Sequence, residues 1–223
     1  MHLIDHGRNH VEETYKRPFL ERTFRNILSF VLPRPKVFLT LAILTKFIKP
    51  FSFLMPEFLK NSLNLMPDKI PSKKIKTQKI YSPQNGKKIS RVALLIGCVQ
   101  RVISPEINEA TIRLLNRHNV EVVVMPDIEC CGSLNHHLGK KEKAKASFVK
   151  NIESWHEEYL SSGLDAIISN TSGCGTTLKD YGHIFKNDKE MKKKAKKISE
   201  LTKDITEYLD ENLKLDIKKN EEK

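Results

Sequence analysis

The chain has 223 residues, 39 Lys and Arg against 27 Asp and Glu, and a formal net charge of +12. That length suits one domain or two small ones with a buried core. The basic balance favours anionic partners, but no nucleic-acid-binding module accompanies it, so nucleic acid is not expected as a partner. Four cysteines in a lysine-rich chain with no signal peptide argue against a secreted disulfide scaffold and for reduced thiols in the cytoplasm.

Residues 1–66 read as a helical, amphipathic connector or docking region. After the polar stretch His2–Tyr15, Phe19, Leu20, Phe24, Ile27, Leu28 and Val31 recur at helical spacing until Pro33 and Pro35 break the pattern. A helix is expected over Lys36–Ile48, ended by Pro50, and a shorter one over Glu57–Leu65. The apolar run Val37–Leu44 is too short to span a bilayer, which needs roughly 20 apolar residues. Arg34, Lys36, Lys46 and Lys49 flank it. Packing on the rest of the protein or its complex is the expected role, with contact at a membrane surface as the alternative. Residues 67–90 read as a basic linker with three prolines and an Asn85-Gly86 turn.

Three short apolar runs follow, each bounded by turn residues and each read as a buried strand: Arg91–Gly97, Glu121–Pro126 and Asp165–Asn170. Helix-period segments lie between them. One starts near Ser104-Pro105. Another, Lys140–Ser162, places Phe148, Ile152, Trp155 and Tyr159 on one face for packing against the sheet. Further helices are expected over Thr176–Phe185 and Lys189–Leu213, the second with Met191, Ala195, Ile198, Leu201, Ile205, Tyr208 and Leu209 on one side. The fold class is therefore α/β: a small parallel βαβαβ sheet of three or more strands with flanking helices, behind a helical connector. The divisions expected are 1–66, 67–90, an α/β domain over 91–187, a final helix over 188–214 and a charged tail over 215–223.

All four cysteines follow these strands: Cys98 after the first, Cys130 and Cys131 after the second, Cys174 after the third. In a parallel sheet the residues just beyond each strand gather at one edge, where ligands usually bind. Three distant cysteine sites should meet there. Their separations of roughly 30 and 40 residues are far too wide for a zinc finger or a ferredoxin run. Thiolates suit iron–sulfur clusters, zinc or Cu(I). The adjacent pair suits two irons of one cluster better than one zinc, and the neighbouring glycines leave backbone N–H groups free to face sulfur. Zinc, or four core thiols with no metal, are the alternatives. His136 and His137 read as loop residues that hydrogen-bond near the site; His118 and His183 need no special role. Asp127 and Glu129 read as loop-solvating rather than as an acid/base pair. No Ser-His-Asp order, P-loop or GxGxxG is present, so no catalytic residue is assigned.

The stretches GCVQ (97–100), ECCGSLNHHLG (129–139) and SGCGTTLKDYGHIFKND (172–188) resemble the CCG cysteine-rich domain of the glycolate oxidase (glycolate dehydrogenase) iron–sulfur subunit family. HLIDHGR, RPFLER and VLPRPKVF resemble the family's connector, and KKAKKISELTKDITEYL the segment after its first CCG repeat. The resemblance implies electron transfer through an iron–sulfur cluster, of the 4Fe–4S type, held by Cys98, Cys130, Cys131 and Cys174. It implies FAD on a separate flavin subunit that oxidises glycolate to glyoxylate, and no substrate chemistry on this chain. A lactate-oxidising complex is the related alternative, and a docking fragment with vestigial or zinc-binding cysteines is another. Family members also carry a ferredoxin-like domain and a second CCG repeat, which this sequence lacks, so sister fragments bearing them are expected partners. Thr171 and Thr177 stand where some CCG proteins have another cysteine. The expected location is the cytoplasm, with peripheral contact at the inner face of the cytoplasmic membrane as an option.

Overall fold

The computed structural model describes residues 2–54, 56–64 and 80–213. Most of the 67–90 linker and all of the charged tail lie outside the described residues. The connector holds α1 (His2–Thr14), α2 (Phe19–Val31), α3 (Pro35–Ile48), a 3-10 turn and α4 (Glu57–Asn64). Pro35 opens α3, where its missing N–H costs nothing. Among the described residues no single helix is long and apolar enough to cross a membrane; α2 and α3 pass that test only together, bent by 115°.

The remainder builds β1 (Ile80–Tyr81), β2 (Ser90–Leu95), α5 (Gln100–Ile103), α6 (Pro105–Arg117), β3 (Val120–Val123), α7 (Ser133–His137), α8 (Lys141–Ser162), β4 (Ala166–Ser169), α9 (Ser172–Ile184), α10 (Lys192–Leu201), β5 (Thr202–Asp204) and α11 (Ile205–Asn212). The sheet has five strands in the order β1-β3-β2-β4-β5. β2, β3, β4 and β5 are parallel, and only β1 is antiparallel. The three expected strands are its centre, with Val92 beside both Val122 and Ala166. Because β3 lies on one side of β2 and β4 on the other, the connections diverge at β2. That is the switch point at which open α/β sheets bind ligands, beyond the strands' carboxyl ends.

Side chains alternate across the sheet. Ala93, Leu95 and Ile167 face α8, α9 and α10, burying Phe148, Ile152, Trp155, Leu178, Tyr181 and Ile198. Val92, Leu94, Ile96 and Ile168 face α6 and α11, with Ile112, Leu115 and Tyr208. Period-two alternation on strands buried from both sides explains why the runs read as continuously apolar. The Phe148–Ile152–Trp155 stripe packs on the sheet as expected.

The amino end of β2 is tied ionically. Buried Arg91 donates to Glu158 at 2.5 Å, Glu121 at 2.8 Å and the Gly163 carbonyl at 2.8 Å, and its backbone N–H donates to Asp165 at 2.7 Å. Several partners share the charge, as a buried guanidinium requires.

Two expectations need correction. The single helix expected over Lys189–Leu213 is α10, β5 and α11. Ser199 donates to the Leu178 carbonyl, and Asp204 and Glu207 form a capping box that restarts the helix. The apolar stripe is divided accordingly: Ala195 and Ile198 pack on one face of the sheet, Tyr208 on the other. The expected linker also contains a strand, since Ile80 and Tyr81 pair with Val123 and Val122.

Candidate metal centre

Each cysteine is delivered by a strand end. After β2, Gly97 turns the chain at φ +67° and Cys98 leads into α5. After β3, buried Cys130 and Cys131 precede Gly132, at φ +84°, which starts α7. After β4, Cys174 is the third residue of α9. It was expected to precede that helix, and its place in the first turn keeps it within reach of the positive helix end.

The thiols meet. Cys131 and Cys174 lie 3.1 Å apart, sulfur to sulfur. Cys98 contacts Cys130, and Cys130 contacts Cys131. The four sulfurs thus form a file of consecutive contacts, buried at Cys130 and Cys131 and partly exposed at both ends. Backbone N–H groups face the sulfurs: Val99 towards Cys98, Gly132 towards Cys130 at 3.4 Å, and Ser133 towards Cys131. Sulfur that accepts N–H donors is arranged as thiolate.

The protons are nevertheless held firmly. The hydrogen bond with Cys130, then burial, pushes the Cys98 thiol far up. The bond with Cys131 pushes Cys130 up to about 12. At Cys131 the bond from Cys130 pulls down, but Cys174 and burial outweigh it and the thiol is raised. Crowded, buried thiols of this kind ionise together only when positive charge arrives, so metal binding here would release protons.

The donor set fits a multi-iron cluster. Its four donors are cysteine thiols, the soft ligand type that iron–sulfur clusters use. A file of single thiolates suits several metal atoms with one protein ligand each.

The three cysteine loops are joined pairwise. Arg101 donates to the Gly97 carbonyl at 2.7 Å and to Ile128 at 3.0 Å, joining the first loop to the second. Gln100 donates to Asn170 at 3.0 Å and accepts from Thr171 at 2.5 Å, joining the first to the third. Ser133 donates to the Gly173 carbonyl and accepts from Thr177 at 2.9 Å, joining the second to the third. The two threonines beside Cys174 are therefore structural links. From beneath, Asn151 donates to the Cys130 carbonyl at 2.9 Å and Tyr181 to the Cys131 carbonyl at 2.7 Å. Both side chains are buried. Such outer partners orient ligands much as first contacts do.

The histidines do something else. His136 and His137, expected in a loop near the site, lie on α7 and face α1. Buried Asp5 sits 3.5 Å from His136, 3.3 Å from His137 and 2.9 Å from Arg8. Glu12 pairs with Lys140 and Arg25 beside them. His183 stacks on His2 at 3.5 Å. Asp127 and Glu129 are exposed.

This latch is sensitive to acid. Burial alone would raise the Asp5 pKa, but His136, Arg8 and His137 outweigh it and hold the carboxyl below its usual range. Its contribution is present above the unfolded value and is lost as pH falls through the folded one. Burial lowers the His136 pKa, so the unfolded ring takes its proton first, near pH ~6.5, and that too weakens the folded state on acidification. Both act in the same direction, His136 below about pH 6.5 and Asp5 only below about pH 4, so the first loss on acidification is that of His136. Amides of α1 should lose hydrogen-exchange protection between about pH 7.5 and 5, after correction for intrinsic rates; unchanged protection would contradict this account.

Residues 92–179 match the family model of the CCG cysteine-rich domain. It is 37% identical to the glycolate oxidase iron-sulfur subunit of Escherichia coli, over 94% of this chain and 48% of that protein. It is 33% identical to the probable glycolate oxidase iron-sulfur subunit of Bacillus subtilis, over 70% of this chain and 34% of the relative. Lactate utilization protein A of Bacillus thuringiensis is 27% identical over 56% of the chain and 50% of its own length. The chain thus spans about half the length, or less, of these relatives. No solved structure matches.

Proposed function

We propose that this chain is the iron–sulfur electron-transfer component of a glycolate oxidase, with Cys98, Cys130, Cys131 and Cys174 holding one cluster of the 4Fe–4S type. The observation that carries the reading is the convergence of four thiols from three strand ends, each of three sulfurs faced by a backbone N–H. The similarity to two glycolate oxidase iron-sulfur subunits supports it. Once bound, the cluster supplies reversible one-electron chemistry. The chain's own residues place the thiolates, offer N–H groups to them and keep water from Cys130 and Cys131. Substrate oxidation belongs to a partner subunit carrying FAD, which converts glycolate to glyoxylate. The weaker likeness to a lactate utilization protein leaves lactate as the second substrate to assay.

The test is iron and acid-labile sulfide content after purification without oxygen. About four of each per chain is the expected result. Zinc alone, or no metal, would reject the reading and leave a docking fragment.

Residues 2–54 supply a docking face. Phe38 and Ala42 of α3 pack within the chain, against Val102. On α2, however, Phe19, Leu20, Phe24, Ile27 and Phe30 are exposed. Among the described residues nothing covers this face, and it is proposed to meet the flavin subunit or the segments bearing the ferredoxin domain and second CCG repeat. Exposed Arg22, Arg34 and Lys36 beside the face favour a second reading, peripheral contact with the inner face of the cytoplasmic membrane. Co-sedimentation with anionic liposomes at low salt, lost at high salt, is the expected result for that reading; no co-sedimentation at low salt rejects it.

A further inference from the structure

Arg101 is placed unlike any other cation near the thiols. It lies on α5, three residues beyond Cys98, and is only partly exposed. Its side chain donates to three backbone carbonyls: Gly97 at 2.7 Å, Ile128 at 3.0 Å and Glu129 at 3.4 Å. Gly97 immediately precedes Cys98, and Glu129 immediately precedes Cys130. One guanidinium therefore spans the loops that carry two of the cysteines.

Carbonyl oxygens satisfy its N–H groups but do not cancel its charge. Among the described residues it makes no ion pair with a carboxylate. The acidic groups whose charges act on it are Glu129, which is exposed, and the sulfurs of Cys98 and Cys130. Taking a cation out of water without a close counter-ion is costly, and the cost is recovered when negative charge gathers beside it. The other cations near Cys130 differ. Arg34 is spent on the Phe30 carbonyl and ring, Lys143 on Ser29, and Lys150 is exposed to solvent.

We propose that Arg101 sets the charge balance of the cysteine centre, favouring the reduced state of the cluster held there while joining the Cys98 and Cys130 loops. The proposal rests on the iron–sulfur reading. One electron, from a reduced partner or from dithionite in the test, adds one unit of negative charge to the centre, with no bond made or broken and no proton required. A positive charge fixed beside two of the four thiolates stabilises that added charge more than it would in water. Arg101 is a tuning and positioning residue, not a ligand.

The experiment is a mediated redox titration of the full chain, purified without oxygen, as wild type, R101K and R101Q. Iron, sulfide and far-UV circular dichroism are measured on each. At the wild-type midpoint, R101Q should show about tenfold less reduced relative to oxidised cluster, a shift of the size expected for removing one nearby, partly buried charge. R101K keeps the charge but cannot span three carbonyls, so it should stay within about threefold of wild type. A fully loaded R101Q that titrates with wild type overturns the proposal. So does R101K shifted as far as R101Q, or equal iron loss in both variants, because either would make shape and not charge the cause. Greater iron loss in R101Q than in R101K supports it. If R101Q does not fold, R101K decides alone: a tenfold shift overturns the proposal and a shift within threefold upholds it. Wild-type protein with neither iron nor sulfide is a different result, the failure of the reading beneath.

Discussion

Replacing Cys131 with serine is expected to lower the iron content of anaerobically prepared protein at least about tenfold, while its far-UV circular dichroism stays that of wild type. Cys131 touches both Cys130 and Cys174, so its loss cuts the file of sulfurs at the centre. A hydroxyl is a harder and weaker donor to iron, and it does not ionise at neutral pH. Serine is smaller than cysteine by little more than the sulfur's extra radius, and the Cys131 carbonyl that Tyr181 holds is backbone. The sheet should therefore survive. Iron retained at the wild-type level would reject Cys131 as a ligand.

The second large effect concerns the next residue. Gly132→Ala is expected to destabilise the protein by about 2–5 kcal/mol, from left-handed backbone strain of roughly 1–2 and overpacking of roughly 1–3. Gly132 has φ +84°, and a Cβ there would lie 2.5 Å and 2.7 Å from two ring carbons of Phe148. Phe148 has nowhere to go. It is 2% exposed, and the rings of Tyr181, Phe185 and His136 surround it. Gly86→Ala is the control: its φ is +69° and nothing among the described residues lies within 4 Å of the added carbon, so only the backbone strain of about 1–2 kcal/mol applies. Urea unfolding of both variants measures the difference. Equal losses would show that the approach to Phe148 does not matter.

The strand ends and the meeting of the cysteines were legible because apolar runs, crossover lengths and the geometry of parallel sheets leave few alternatives. The strands that escaped notice are those that periodicity hides. Ile80-Tyr81 is too short to show a pattern, and Thr202–Asp204 sits where Leu201 and Ile205 continue a helical spacing across a real break. A readable signal did exist there: Asp204 followed three residues later by Glu207 is a capping box. Tyr181 and Asn151 were missed because one polar group on a core face looks like noise until its carbonyl partners are known. The pairing of Asp5 with His136 and His137 joins residues more than 120 positions apart, and no local rule brings such a pair together.

The position of β4 at the far side of β2 has a consequence for biogenesis. Cys98, Cys130 and Cys131 are already in place when β2 and β3 pair, but Cys174 joins them only after Ala166–Ser169 has been laid along Val92–Leu95. A nascent chain that has not yet passed β4 brings together three of the four sulfurs and no fourth. On the reading proposed above, the full ligand set of the cluster therefore exists only once β4 has been made and paired with β2.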